Sequence, residues 1–122
     1  MKLKDSLYRI TRQPAEGMPL EYEVRLNEKH FIYQAHFPGE PVTPGVCIVQ
    51  MAKELLEDHL QQSLQLTTVK NVKFLSVITP IETPELSYVL DKIQSIDTIR
   101  AQFTVKSSDK EFAKLSLGFI NK

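Results

Sequence analysis

Thr43 to Gln62, TPGVCIVQMAKELLEDHLQQ, is the segment on which the fold turns. Thr43-Pro44 offers an N-cap followed by proline at the first helical position, a favoured way to begin a helix. Val46, Cys47, Ile48, Val49, Met51 and Ala52 then cover every side of the first two turns with apolar groups. From Lys53 onward Glu54, Glu57, Asp58, Gln61 and Gln62 interrupt, while Leu55, Leu56 and Leu60 keep an apolar stripe. Such a helix starts deep in a core and ends at the surface. A helix apolar all round needs something wrapped round it.

The flanking sequence supplies the wrapper. Leu20 to Leu26, LEYEVRL, sets Leu20, Tyr22, Val24 and Leu26 against Glu21, Glu23 and Arg25, the period of a half-buried strand. Ser6 to Gln13 alternates more weakly, and Pro14 to Gly17 carries turn chemistry. Beyond the helix, 67–78, 85–93, 98–107 and 111–120 each show partial alternation, with turns at 79–84, 94–97 and 107–110. Between Asn27 and Pro44, the prolines at 38, 41 and 44 exclude helix and predict an ordered loop or tight turns. The expected α+β architecture is a curved antiparallel sheet of about six strands round one central helix, a single domain over 1–122.

Composition narrows the function. The 122 residues carry 15 basic and 15 acidic side chains, a formal net charge of zero, which argues against nucleic acid as a partner. One cysteine excludes an internal disulfide and a cysteine-only metal site. No apolar run reaches the roughly 20 residues of a membrane span, and the first ten residues lack a secretory pattern, so a cytoplasmic protein is expected.

Three features point to chemistry. His36 sits in a loop that Pro38, Pro41 and Pro44 would hold rigid, and rigidity is what a positioned base needs. That loop feeds a helix N-terminus at Gly45-Val46, where unpaired N–H groups can polarise a carbonyl and glycine admits a ligand close to the backbone. Gln50 is the one polar side chain between Gly45 and Ala52. It is either satisfied by nearby backbone or aimed into a site. A neutral imidazole beside an N–H-lined pocket is equipped to remove a proton α to a thioester. His30 and His36 lack companions of metal-ligating type, so no metal site is expected. Cys47, Tyr88 and Phe103 read as core, His59 as surface.

His36-Phe37-Pro38-Gly39-Glu40-Pro41-Val42-Thr43-Pro44-Gly45-Val46 resembles the H-F-P-G-x-P-[VI]-x-P-G-[VC] signature of the hotdog-fold 3-hydroxyacyl-acyl-carrier-protein dehydratases. The match is contiguous; over the rest of the chain it thins, with Val69 to Phe74 as a basic-aromatic strand and Pro80-Ile81-Glu82 in place of the usual Pro-Gly-Asp turn. The resemblance implies a lyase of fatty-acid, polyketide or polyene synthesis that interconverts 3-hydroxyacyl and trans-2-enoyl thioesters without a cofactor. The substrate would hang on the phosphopantetheine of an acyl carrier protein or on coenzyme A. It also implies His36 as the base, Gly45 and Val46 as the carbonyl anchor, and Phe37, Pro38 and Gly39 as further substrate-binding positions. A dimer is implied as well, since one sheet round one helix leaves edges that a second sheet can cover.

The family's helix carboxylate, contributed across the dimer, falls at position 50, where this chain has Gln50. Glutamine donates and accepts hydrogen bonds but delivers no proton. Three replacements are open: Glu54 one turn on, although it reads as a solvated charge; His30; or a carboxylate from a second hotdog chain in a heterodimer. The alternatives to a dehydratase are a hotdog thioesterase and an impaired partner subunit.

Overall fold

In a computed structural model, residues 1–35 and 39–122 are described. Strands β1 (Tyr8–Arg12) and β2 (Leu20–Leu26) are followed by a one-turn helix α1 (Ile32–Ala35) and the long helix α2 (Gly45–Leu60). Then come β3 (Leu64–Phe74), β4 (Glu85–Ile96), β5 (Thr98–Ser107) and β6 (Lys110–Asn121). The six strands form one antiparallel sheet in the order β1-β2-β4-β5-β6-β3, with α2 against its inner face.

Alternation explains which face turns inward. Leu20, Tyr22 and Val24 of β2 are buried while their neighbours look outward, and the same holds for Ile99, Ala101, Phe103 and Val105 of β5. One inner row crosses the sheet as Tyr22, Tyr88, Val105, Ala113 and Phe74, each opposite the next. Against it α2 buries Cys47, Ile48, Met51, Ala52, Leu55 and Leu56. Each large aliphatic among these stabilises the fold by about 1.5–3 kcal/mol on transfer from water. Helix α2 ends at Gln61, which takes a left-handed conformation (φ 54°) and returns its N–H to Glu57 O at 2.8 Å.

Several local expectations are corrected. Helix does occur in the 27–44 segment, because α1 closes before Pro38 and the breakers all lie beyond it. The N-cap of α2 is Pro44, not Thr43, whose side chain bonds elsewhere. β4 continues through Gln94 to Ile96, so the turn into β5 is reduced to Asp97 in a left-handed conformation. β3 runs from Leu64 and stops at Phe74. The largest correction is Glu54, which is only 6% exposed.

Candidate active site

The entrance to α2 is built by Thr43 and Pro44. Thr43 is anchored twice: its N–H donates to Ile78 O at 2.8 Å, and its hydroxyl pairs with that of Tyr33 at 2.9 Å. Burial drives the Tyr33 hydroxyl up to about 12, the Thr43 bond pulling the other way. Pro44, at φ −62° and ψ 146°, turns its carbonyl into the helix to accept from Cys47 N (2.9 Å) and Ile48 N (3.1 Å). Among the described residues, nothing accepts from the N–H of Gly45 or Val46. Two donors at the positive end of a sixteen-residue helix are thus open to a ligand oxygen.

Beside them lies a cleft of about 450 Å³, lined by Thr43, Gly45, Ile48, Phe74, Val77 and Ile78 among others. The Phe74 ring takes up the space at Gly45, since a Cβ built there would stand 2.8 Å from its Cζ. The sheet's inner row therefore ends on the helix N-terminus, and Gly45 is what lets the two meet. Val46, at 66% exposure, departs from the core placement its apolar surroundings suggest; Phe74, Leu75 and Val77, likewise exposed, form an apolar rim to the cleft. On the loop side, Gly39 has φ +91°, a conformation natural to glycine. His36, Phe37 and Pro38 lie outside the described residues.

Along the next turns α2 is closed. Gln50 uses both amide hydrogens, donating to Met1 O at 2.7 Å and to Glu54 Oε2 at 2.8 Å. Glu54 also accepts from Leu3 N (2.7 Å) on Oε2, and from Lys4 N (2.8 Å) and the Tyr8 hydroxyl (3.0 Å) on Oε1. Four donors converge on one carboxylate, and the chain's first eight residues are pinned to the helix by it. Burial first, and then the Glu54 charge, push the Tyr8 hydroxyl far above its usual range. One turn further Asp58 accepts from the Tyr22 hydroxyl at 2.8 Å and pairs with Lys4 Nζ at 3.5 Å. The stripe Gln50, Glu54, Asp58, spaced by four, is spent on holding the N-terminal segment. Sequence reading missed this clasp; its one trace is the apolar pair Leu3 and Leu7, both buried.

The remaining candidates separate cleanly. His30 starts α1, its Nδ1 accepting from Ile32 N at 3.1 Å and its ring stacked on Phe31 at 4.7 Å. Cys47 is buried and burial raises its thiol. Tyr88 donates to Ile48 O at 3.0 Å from within the core, and His59 is exposed. Among the described residues no three His, Cys, Asp or Glu side chains are grouped to hold a metal. No helix there is long and apolar enough to cross a membrane.

The ApeI-like family, described as ApeI dehydratase, matches residues 12–116. The chain belongs to this dehydratase family. It is 31% identical over 114 residues to the 3-hydroxyacyl-[acyl-carrier-protein] dehydratase FabZ of Lactobacillus helveticus, spanning 88% of this chain and 75% of that one. With the enzyme of the same name from Lactiplantibacillus plantarum, identity is 32% over 115 residues, 88% and 76% of the two chains. Among solved structures, the dehydratase heterocomplex ApeI:P from Xenorhabdus doucetiae superposes with a TM-score of 0.63 at 14% identity, over 92% of this chain and 96% of its counterpart. The expected hotdog architecture of sheet round helix is thereby matched over nearly the whole dehydratase-family chain.

Proposed function

We propose that this chain catalyses the reversible dehydration of 3-hydroxyacyl thioesters, carried on an acyl carrier protein or coenzyme A, in a dimer whose acid comes from a second hotdog chain. The observation that carries the reading is the unbroken signature from His36 to Val46 delivered onto a helix entrance with two open N–H donors.

The thioester carbonyl accepts from the Gly45 and Val46 N–H groups, which makes the C2 proton more acidic. The neutral His36 imidazole takes that proton. The electron pair left on C2 forms the C2=C3 double bond as the C3–O bond breaks. The departing hydroxyl takes a proton from a carboxylic acid and leaves as water. The apolar rim of Phe74, Leu75 and Val77 receives the acyl chain.

Placing the acid on a partner follows from the closed stripe. Gln50 carries no acidic proton and its amide is engaged, while Glu54 is occupied by four donors. The unpaired edge of β3, eleven residues long with Val69 and Phe74 exposed, supports a second sheet docking there. That the ApeI:P relative is a heterocomplex supports the same arrangement.

The test is hydration of a short trans-2-enoyl thioester, followed by loss of enoyl absorbance. The chain alone should turn over about 10²–10⁴-fold more slowly than with a second hotdog chain co-expressed, the usual worth of a general acid. Turnover indifferent to His36→Asn would sink the dehydratase assignment, and full activity of the homodimer would sink the partner acid.

A further inference from the structure

The outer face of the sheet, turned away from α2, carries a second groove that the dehydration reaction does not use. Its floor is Gly118 on β6. Register sets Gln94, Arg100, Gly118 and Thr68 in one row across β4, β5, β6 and β3. Neighbouring strands lie about 4.8 Å apart, so Arg100 and Thr68 face each other across roughly 10 Å with no side chain between them. A side chain there would crowd the row: a Cβ would stand 3.2 Å from Thr68 Cβ. The depression has a volume of about 380 Å³, in the range of small-molecule sites.

Its lining is cationic. Lys70, Lys92 and Arg100 stand among Thr68, Gln102 and Ser116, and no carboxylate lines it. Among the described residues, none of the three cations has a carboxylate oxygen within 4.0 Å, whereas four other basic residues are paired. Asp91, the acid beside Lys92 in sequence, accepts the Lys92 N–H through Oδ1 at 2.9 Å. Both lysines sit at breaks in register, Lys70 between Val69 and Asn71 on β3, and Lys92 between Asp91 and Gln94 on β4. Lys92 holds a left-handed backbone, φ +51°, which a side chain other than glycine adopts at a cost. Bulges re-aim side chains, and here one on each side of the groove carries a lysine to its rim. In a chain of zero net charge, three unpaired cations round a glycine-floored hollow are a local device and not a by-product of composition.

We infer that this groove binds a phosphate group, free or borne on a small organic molecule. Arg100 offers a planar fork for two phosphate oxygens, the lysines offer point charges, and the hydroxyls of Thr68 and Ser116 complete the shell. A concave hollow of this size suits a compact polyanion better than the broad contact of an acidic protein. This inference rests on none of the catalytic residues and stands apart from the dehydratase reading.

The experiment is a titration of the isotopically labelled full chain, followed through its backbone amide resonances, with inorganic phosphate, coenzyme A and, at matched ionic strength, potassium chloride. Phosphate or coenzyme A should move the amides of Thr68, Gln94, Arg100 and Gly118, with a dissociation constant of about 1 mM or tighter. Tighter binding of coenzyme A identifies an organic phosphate as the ligand, and equal binding identifies phosphate alone. Arg100→Gln and Lys92→Gln should each weaken it about tenfold, Arg100→Lys less, and Lys29→Gln outside the groove not at all. Resonances that stay still, or that move equally with chloride, overturn the inference. So does saturation by polyglutamate with no response to phosphate, which would make the face a protein-docking surface.

Discussion

The two ends of one stretch of helix α2 are put to opposite uses. At its entrance, Gly45 and Val46 present N–H groups that no described residue meets, beside an apolar rim left in solvent. One and two turns later, Gln50 and Glu54 are so completely partnered that the carboxylate accepts four hydrogen bonds. Position 50, where the resemblance to the dehydratase signature implies a helix carboxylate, lies within the stretch that here holds the N-terminal segment. An unsatisfied polar group is tolerated where a ligand will satisfy it; a buried one must be satisfied by the fold.

The largest effect that would break this contrast belongs to the open end. His36→Asn should lower enoyl-thioester turnover of the dimer by about 10²–10⁴-fold while leaving the circular dichroism and thermal midpoint unchanged. A variant that loses its fold along with its activity would make His36 a structural residue.

At the closed middle the expected loss is stability. Glu54→Gln replaces one acceptor by an NH₂ group and points donors at donors among Leu3 N, Lys4 N and the Tyr8 and Gln50 groups. We expect a cost of about 2–3 kcal/mol, or roughly 10 °C in thermal midpoint. An unchanged midpoint would mean the clasp contributes nothing.

Alkaline titration sharpens the comparison further. All four tyrosines have hydroxyls raised by burial, Tyr33 to about 12 and Tyr8, Tyr22 and Tyr88 well above the usual range. In the unfolded chain each ionises near 10. Above that pH the folded state holds more protons than the unfolded one, so stability is intact below about 10 and falls as pH rises toward 12. Phenolate absorbance should therefore appear together with loss of secondary structure. Any tyrosine that titrates earlier in the folded protein should be Tyr33, at the open end.

The smallest effect is at Gly45. Gly45→Ala gains helix propensity but displaces the Phe74 ring, the tip of a movable and half-exposed side chain. Stability should change by less than about 1 kcal/mol, while the Michaelis constant for the thioester rises. A double-mutant cycle with Phe74→Ala should show that the two positions are coupled. Additive effects would place the ring elsewhere in solution.

Much of this was open to reading from the chain. Period-two alternation at Leu20 to Leu26 and the proline-led apolar helix fix strand and helix because each reports a local constraint, face burial or backbone φ, that neighbouring residues alone impose. The signature from His36 to Val46 is contiguous, so it too is visible without a fold, as is the amide of Gln50 where the resemblance implies a carboxylate. What no window of sequence contains is Glu54 meeting Leu3, Lys4 and Tyr8 from about fifty residues away, or Phe74 filling the space above Gly45. Glu54 has the local pattern of a solvated charge; its burial comes from donors that only chain crossing brings to it. The same holds for Lys70, Lys92 and Arg100, scattered over three strands and gathered by register and two bulges. Local periodicity encodes which elements form, and long-range packing alone decides which polar groups are consumed by the fold and which are left for a ligand.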